Sequence, residues 1–356
     1  MDRPHWRALS QGSIGFVLSI SVLTGSYLHS TGTYGKDNAM TSESLPENPA
    51  AKRLADGLAE AHAKYGNGNA AVLFVVQDLE TNIFDQRCLE YCLLEEHSIQ
   101  TVRMTLYEIG ASAELGTNYS LVVPTIVGKA EISVVYLRAG YGPGDYPTET
   151  DWEGRRKLER SRAIKCPTIV TQLAGCKKVQ QALAVPGAVE RYLPSLLALS
   201  FRFLDSEKAE KVRKTFTGLY PLDDTSEGLR ARALVLANPE CFVVKPQREG
   251  GGNNIYRSSI PGFLQSLPAQ SHCNSYILMD LIRPPPHINS LVRDGGLYTT
   301  TVVSEFGVYG VMLWDNNDGK ILVNKEAGWL MRTKPHENDE GGLTTQGGCL
   351  DSVSLN

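Results

Sequence analysis

A continuous apolar run at residues 70–76 (AAVLFVV) is the sequence feature that most constrains the fold. Its length suits a strand, and an apolar side chain at every position is typical of a strand buried on both faces of a parallel sheet. One helix is predicted before the run at residues 52–65, and another after it, starting from the N-capping residue Asn82. A strand flanked by helices in this way indicates an α/β arrangement.

The same alternation continues along the chain and then changes. Strands predicted at residues 101–106 and 131–137, with a helical stretch at 168–184, indicate an open α/β domain at about residues 67–185. Beyond it a helical region is predicted to about residue 217, after which helices become scarce and strands predominate. These strands are predicted at residues 241–245, 275–282, 298–314 and 320–325. The turn sequence NNDG at residues 316–319 separates the last two and predicts an antiparallel hairpin.

Composition limits the class of protein. With 356 residues and 42% hydrophobic content, the chain is long enough for two domains with substantial cores. A formal net charge of -4 predicts binding neither to nucleic acid nor to a membrane surface, so local charges must hold any anionic substrate. The seven cysteines form no CxxC pair, which predicts free thiols in a reducing, cytoplasmic compartment.

An apolar segment at residues 12–28 follows Arg3 and Arg7 and resembles the hydrophobic region of a signal peptide. It is short for a membrane span, and the cysteine usage favours an irregular leader instead. Both interpretations stay open. Secretion would expose Asn118 as a glycosylation acceptor, which distinguishes them.

A polar tract at residues 245–254 (KPQREGGGNN) follows the predicted strand at 241–245 and suits a bound phosphate. Glycine N–H groups can approach phosphate oxygens closely, Lys245 supplies a positive charge, and Glu249 can hold Mg²⁺. A surface turn is the alternative interpretation of this tract taken alone. The sequence contains no GxxxxGK[ST], GxSxG or HExxH motif, and the run at residues 140–144 (GYGPG) lacks the glycine spacing of a dinucleotide site.

Together with several other segments, the tract at residues 245–254 resembles the eukaryotic glutathione synthetases. The other segments follow the family's order at similar spacing. They are ETNIFDQR at 80–87, YLRAGY at 136–141, TQLAGCKK at 171–178, SEFG at 304–307 and LMRTK at 330–334. Such a series, within about residues 50–356, is far more specific than any single motif.

The resemblance implies an ATP-grasp fold of mixed α/β (α+β) class, in which two lobes close on the nucleotide and an open α/β domain for the substrate is inserted. It also implies a homodimer. The domains it predicts are an atypical leader at residues 1–40, a remnant of the N-terminal ATP-grasp part at 41–71, the glutathione synthetase substrate-binding domain at 72–180 and the ATP-binding domain at 181–356.

The implied activity is that of an ATP-dependent carboxylate–amine ligase that joins γ-glutamylcysteine to glycine. ATP phosphorylates the cysteinyl carboxylate, and the glycine amine then displaces phosphate from the acyl phosphate. Because phosphoryl transfer depends mainly on positioned positive charge, the resemblance gives catalytic roles to Lys245, Lys334 and Arg332. Without it, solvated surface charge would be the ordinary interpretation of the lysines. The implied cofactor is Mg²⁺, with Glu249 as a ligand.

The resemblance further implies a set of contact residues for each ligand. The nucleotide set is Lys177, Lys245, Glu249, Gly250, Gly251, Gly252, Asn253, Asn254, Tyr256, Met279, Asp280, Leu281, Ile282, Glu305, Lys334 and Glu340. The substrate set is Glu80, Thr81, Asn82, Gln86, Arg138, Ala139, Gly140, Tyr141, Arg332, Leu343 and Thr344. Charged residues of both signs in the second set suit a zwitterionic peptide.

The sequence departs from the family pattern in two places. The family's further magnesium ligands, a substrate-binding arginine and a serine-rich loop lie upstream of the matching part, which predicts an N-terminally truncated sequence. The segment GGLTTQG at residues 341–347 stands where the family has GGVAAG, so the acceptor pocket is expected to differ. Three hypotheses follow: an active synthetase, a non-catalytic nucleotide-binding or dimerisation module, and a related ligase that takes another acceptor such as alanine.

Overall fold

The computed structural model describes seven stretches of the chain and divides it into two compact units. The described stretches are residues 46–80, 83–192, 206–247, 252–293, 296–316, 320–340 and 348–353. In its described parts, the first unit contains the chain up to Gln172, Val308–Met331 and the residues from Leu350 onward. The second unit contains Leu173–Gly307 and Arg332–Cys349. No helix in the described part is long and apolar enough to cross a membrane.

The first half of the chain alternates helices and strands, as its sequence predicts. In order, the elements are α1 Ala50–Tyr65, β1 Ala71–Val75, α2 Ile83–His97, β2 Thr101–Met104, α3 Leu106–Ser112, β3 Glu114–Leu115, β4 Leu121–Thr125, β5 Gly128–Leu137, α4 Glu149–Arg160, β6 Ile164–Cys166 and α5 Ile169–Ala174. They form one sheet in the order β2-β1-β5-β4-β3, with β6 also paired to β5. Strand β1 is parallel to β2 and β5, whereas β4 is antiparallel to β5.

The apolar run that begins this half is a strand with both faces covered. Leu73 and Val75 belong to a core cluster shared with α3 and α4, while Val72 and Phe74 belong to a second cluster shared with α1 and α2. All five residues of β1 are buried. The expectation of a doubly covered strand is therefore confirmed.

The predicted strand at residues 101–106 is too long, because a helix starts inside it. Thr105 caps α3: its side chain accepts a hydrogen bond from Glu108 N at 3.2 Å, and the Glu108 carboxylate accepts one from Thr105 N at 2.7 Å. This reciprocal pair satisfies N–H groups that the first helical turn leaves without partners. Thr-x-x-Glu was the signal that the sequence interpretation missed.

The second half of the chain has two four-stranded sheets. Its elements are α6 Lys177–Ala184, α7 Ala188–Tyr192, α8 Ser206–Arg213, β7 Leu219–Pro221, α9 Ser226–Ala237, β8 Phe242–Pro246, β9 Ile255–Tyr256, α10 Ser259–Ser266, β10 Tyr276–Asp280, β11 His287–Arg293, β12 Gly296–Trp314, β13 Ile321–Pro335 and β14 Cys349–Asp351. One sheet has the order β7-β10-β8-β9 and the other β11-β12-β13-β14. Short 3-10 turns at Pro143–Asp145, Pro239–Cys241 and Gln270–Ser275 complete the described elements.

The helical region predicted up to about residue 217 contains α7 and α8, but the predicted scarcity of helices beyond it is wrong. Helices α9 and α10 pack on one face of the sheet that contains β8, where Val244 and Leu278 meet Val235 and Ile260. The helical stretch predicted at 168–184 is divided into α5 and α6. Strands β12 and β13 are neighbours, as the hairpin prediction requires, although turn residues 317–319 lie outside the described part.

Candidate functional site

Lys245 lies near the end of β8, one of the two inner strands of the sheet that carries the predicted nucleotide contacts. Its register partner on β10 is Ile277, so Lys245 shares a face with Met279, two residues further along β10. Asp280 lies on the other face, and its carboxylate accepts a hydrogen bond from Gly218 N at 3.2 Å. Of this predicted nucleotide group, the sheet thus places Lys245 and Met279 together and gives Asp280 a structural contact.

Four predicted nucleotide contacts line one cavity of about 620 Å³: Gly252, Asn254, Tyr256 and Glu340. Glu340 is buried, with 8% of its surface exposed. Its Oε1 accepts hydrogen bonds from Asn254 Nδ2 at 2.9 Å and from the Tyr256 hydroxyl at 3.1 Å. Charged acceptors form the stronger hydrogen bonds, so this carboxylate fixes both side chains at the cavity.

Arg332 and Lys334 occupy alternate positions of β13 and therefore lie on the same face of that strand. Arg332 Nη2 is 2.8 Å from Glu305 Oε2, which pairs two predicted site residues directly. Lys334 Nζ donates hydrogen bonds to the carbonyl oxygens of Asn338 at 2.6 Å and Asp339 at 2.7 Å. Lys334 thus holds the turn that leads to Glu340.

Lys177 is the first residue of α6, and a residue absent from the predicted site holds the start of this helix. The Gln247 side chain, directly after β8, accepts a hydrogen bond from Lys178 N at 2.8 Å. Lys178 Nζ lies 3.3 Å from Asp223 Oδ2. The only sequence signal for Gln247 was its place in the tract at residues 245–254.

Two carboxylates at the cavity, those of Asp339 and Glu340, accept hydrogen bonds from protein side chains. The described residues include no group of three or more His, Cys, Asp or Glu side chains able to hold a metal ion. At the cavity, Asp339 Oδ1 accepts two hydrogen bonds from Arg257, at 2.9 and 3.1 Å, and Glu340 serves Asn254 and Tyr256. The predicted ligand Glu249 lies outside the described residues.

The described members of the predicted substrate set belong to the first unit, apart from Arg332. Glu80 follows β1 and Arg138 follows β5, and Arg138 N donates to Val75 O at 2.8 Å. These strands are parallel, so both residues leave the sheet at the same edge, where ligands of α/β proteins commonly bind. Thr81, Asn82, Gly250, Gly251, Leu343 and Thr344 lie outside the described part of the chain.

Arg138 is the most enclosed charge of this group, with 7% of its surface exposed. Among the residues that the structure describes, none accepts a hydrogen bond from its Nε. Burial alone would lower the pKa of Arg138, but Tyr136, Tyr141 and Asp85 together raise it. A buried guanidinium with an N–H to offer is suited to a carboxylate.

Asp85 is a member of this group that the sequence interpretation missed. Burial raises its pKa to about 7; Arg138 opposes the rise and Glu80 adds to it. The predicted contact Gln86 follows it and is almost wholly buried, accepting a hydrogen bond from Arg103 Nη2 at 2.7 Å. Asp85 stands in the segment ETNIFDQR, which was the available signal.

Comparison with known proteins identifies the family to which this chain is similar. Residues 8–355 match the family described as eukaryotic glutathione synthase, ATP binding domain. The chain is 41% identical to the chloroplastic glutathione synthetase of Solanum lycopersicum, over 90% of this chain and 56% of that protein. It is 42% identical to the glutathione synthetase of Homo sapiens, over 86% of this chain and 61% of that protein.

The solved structure of a glutathione synthetase-like effector from Globodera pallida, in its apo form, shares the fold. It covers 100% of this chain and 70% of its own, with a TM-score of 0.68 and 19% identity. The architecture is thus the mixed α/β, ATP-grasp type of glutathione synthetase-like proteins, as the sequence predicts.

The chain belongs to the eukaryotic glutathione synthetase family. It spans 56 to 61% of the length of the two relatives named above. The domain bounds and the roles of individual site residues stay predictions.

Proposed function

We propose that this protein catalyses the ATP-dependent ligation of γ-glutamylcysteine to glycine. The γ-phosphoryl group of ATP passes to a cysteinyl carboxylate oxygen and releases ADP. The glycine amine then attacks the acyl carbon, the bond to phosphate breaks, and the amine loses a proton as the amide forms. The observation that carries the proposal is the cavity where Gly252, Asn254, Tyr256 and Glu340 gather, in a chain of the glutathione synthetase family.

On the nucleotide side, the chain supplies cations and polar groups in fixed positions. Lys245 shares one face of its sheet with Met279, and Arg332 and Lys334 share one face of β13. Charge that develops on a transferring phosphoryl group is stabilised by cations held in place beforehand, which avoids reorganisation during the reaction. Glu305 orients Arg332 through their ion pair.

On the dipeptide side, Arg138 Nε is suited to a carboxylate of γ-glutamylcysteine. Glu80 carries the opposite charge for its amine, and Asp85, whose pKa burial raises to about 7, adds to that charge when it is ionised. Burial strengthens each of these interactions, because water screens them less. The dipeptide's charges are therefore matched by residues at one sheet edge.

The finer parts of the proposal come from the family. Mg²⁺ would neutralise phosphate charge, with Glu249 among its ligands. A cytoplasmic location agrees with the unpaired cysteines, since the described ones are all free thiols. A homodimer is proposed on the family resemblance alone.

The test is a product assay on the purified chain with ATP, Mg²⁺, γ-glutamylcysteine and glycine. We expect glutathione and phosphate in equal amounts, and a rate about 100-fold lower in Lys245→Ala, in line with the loss of one charge-stabilising group. Lys129→Ala is the matched control, because Lys129 pairs with Glu114 at an exposed site far along the chain. ATP consumption that does not depend on the dipeptide and glycine would contradict the proposal.

A non-catalytic nucleotide-binding module is the second candidate. The observation behind it is that Glu249 is the one carboxylate of this sequence that matches the family's magnesium ligands. Tight ATP binding with no product under any acceptor would support this candidate. Alanine in place of glycine, in the same assay, tests whether the segment at residues 341–347 changes the acceptor.

A further inference from the structure

The loop that carries Gly140 and Tyr141 is fixed through its N–H groups by a single carboxylate. Asp145 Oδ2 accepts hydrogen bonds from Gly140 N at 3.1 Å, Tyr141 N at 2.7 Å and Gly142 N at 3.1 Å. Three donors on one charged oxygen make a compact, strong anchor. The loop then continues into the 3-10 turn Pro143–Asp145 that brings Asp145 back to it.

The carbonyl side of the same loop is held from another part of the chain. Gly140 O accepts hydrogen bonds from Gln172 Nε2 at 2.6 Å and from the Tyr146 hydroxyl at 3.1 Å. Gly140 has a φ of 88°, which favours glycine, and an added Cβ would lie 2.8 Å from the Tyr146 hydroxyl. Both the N–H and the C=O group of Gly140 are therefore hydrogen-bonded.

Gln172 and Tyr146 are in turn oriented by Arg155, which is buried with 4% of its surface exposed. Arg155 donates to Gln172 Oε1 at 3.0 Å and to the Tyr146 hydroxyl at 3.2 Å. Because an arginine can only donate, the Gln172 carbonyl must face it and the Gln172 amide nitrogen must face Gly140. Glu159 accepts the Arg155 Nε hydrogen at 3.0 Å and completes the set.

We propose that Gln172 is a positioning residue for dipeptide binding. It fixes the peptide of Gly140 so that Arg138 and Tyr141, on either side, face the dipeptide in one arrangement. Holding contact groups in their bound geometry strengthens binding by reducing the ordering needed on association. This inference rests on the proposed function, and it adds a residue that contacts the loop rather than the substrate.

The variant that tests it is Gln172→Glu, which keeps the shape and the oxygen facing Arg155 but replaces the donor to Gly140 O with an anionic oxygen. We expect the KM for γ-glutamylcysteine to rise about tenfold, and kcat and the KM for ATP to change less than about twofold. Amide hydrogen exchange at residues 140–142 should become about tenfold faster. A merely structural role would instead change all the kinetic constants and the melting temperature together.

Arg156→Gln is the matched control, since Arg156 is an exposed neighbour on the same helix with partners at Glu149 and Glu153. It should leave both the kinetics and the exchange unchanged. If Gln172→Glu does not fold, Gln172→Met, of similar shape and without polar atoms that can replace the amide, serves in the same measurements.

The outcomes separate this inference from the proposed function. Unchanged exchange at residues 140–142 in a folded variant overturns the inference, as does faster exchange with an unchanged dipeptide KM. If the unaltered chain makes no glutathione, the proposed function fails, and calorimetry with γ-glutamylcysteine decides the inference. Weaker binding to Gln172→Glu than to the unaltered chain then supports it, and equal or absent binding overturns it.

Discussion

The loop at residues 138–142 and the cavity wall at residues 252–256 are both polar, but they are held in different ways. In the first, main-chain groups are fixed by Asp145, Gln172 and Tyr146 from two sides. In the second, one buried carboxylate, Glu340, holds two side chains beside an open cavity. The first predicted site is thus held mainly through its main-chain groups, whereas in the second Glu340 fixes the positions of side chains.

The largest effect is expected from the packing of helices α3 and α4. Arg155, which orients Gln172 and Tyr146 at the loop, lies on α4. A Cβ on Gly154 would lie 2.1 Å from the carbonyl oxygen of Leu106, so the backbones of α3 and α4 would have to move apart. We expect Gly154→Ala to lower the unfolding free energy by about 3 kcal/mol, measured by urea denaturation. It should weaken dipeptide binding more than ATP binding.

Gly144→Ala is the control for that substitution, because a Cβ on Gly144 meets no described atom within 4 Å. Its unfolding free energy should change by less than about 0.5 kcal/mol. Equal effects of Gly154→Ala on both ligands would contradict the view that the helix pair supports one site only.

The next effect is a pH dependence at the dipeptide group. Burial raises the pKa of Asp85 from an ordinary 3.8 to about 7, so between these values the folded state keeps a proton that the unfolded chain releases. The unfolding free energy therefore falls as pH rises from 4 to 7. Asp85→Asn should be more stable than the unaltered chain at pH 8 by about 1 to 2 kcal/mol, a figure reduced for partial solvent screening.

This gain should shrink as the pH approaches 4, which denaturation curves at a series of pH values can follow. Asp78→Asn is the control, since Asp78 is an exposed carboxylate a few residues upstream. A constant difference between Asp85→Asn and the unaltered chain across the pH range would show that the effect is not titration of this carboxyl.

A smaller effect tests the role of the Glu340 carboxylate at the cavity. In Glu340→Gln, Asn254 and Tyr256 lose a charged acceptor, and we expect ATP affinity to fall about fivefold by calorimetry. Glu337→Gln changes an exposed carboxylate at the same cavity and should alter affinity less than about twofold. If the two variants behave alike, Glu340 contributes only general charge and the comparison with the Asp145 anchor fails.

The smallest effects compare helix caps in the two units. Thr105 caps α3 in a reciprocal capping box with Glu108, whereas the Thr225 side chain accepts one hydrogen bond from Gly228 N at 3.2 Å to cap α9. Each change to alanine should cost about 0.5 to 1 kcal/mol of unfolding free energy, with Thr105→Ala the larger. Thermal unfolding measures both, and a reversed order would show that the fuller cap is not the stronger one.

Much of the fold follows from local patterns. The apolar run at β1 specified a doubly covered strand because every side chain had to avoid water, and the run at residues 241–245 specified the strand that carries Lys245. Ordered motifs specified the family. The capping box of Thr105 and Glu108 was a short-range signal that the sequence interpretation missed.

The polar connections were decided by the tertiary structure alone. Gln172 meets Gly140 across 32 residues of chain, and Glu340 meets Asn254 across 86. Burial likewise raises the pKa of Asp85, and the residues next to it in sequence do not indicate that burial. The sequence by itself determined the strands, the family and the candidate residues, because these depend on local periodicity and motif order. Which polar groups meet depends on how distant elements pack, since a buried donor or acceptor must find its partner wherever the fold brings one.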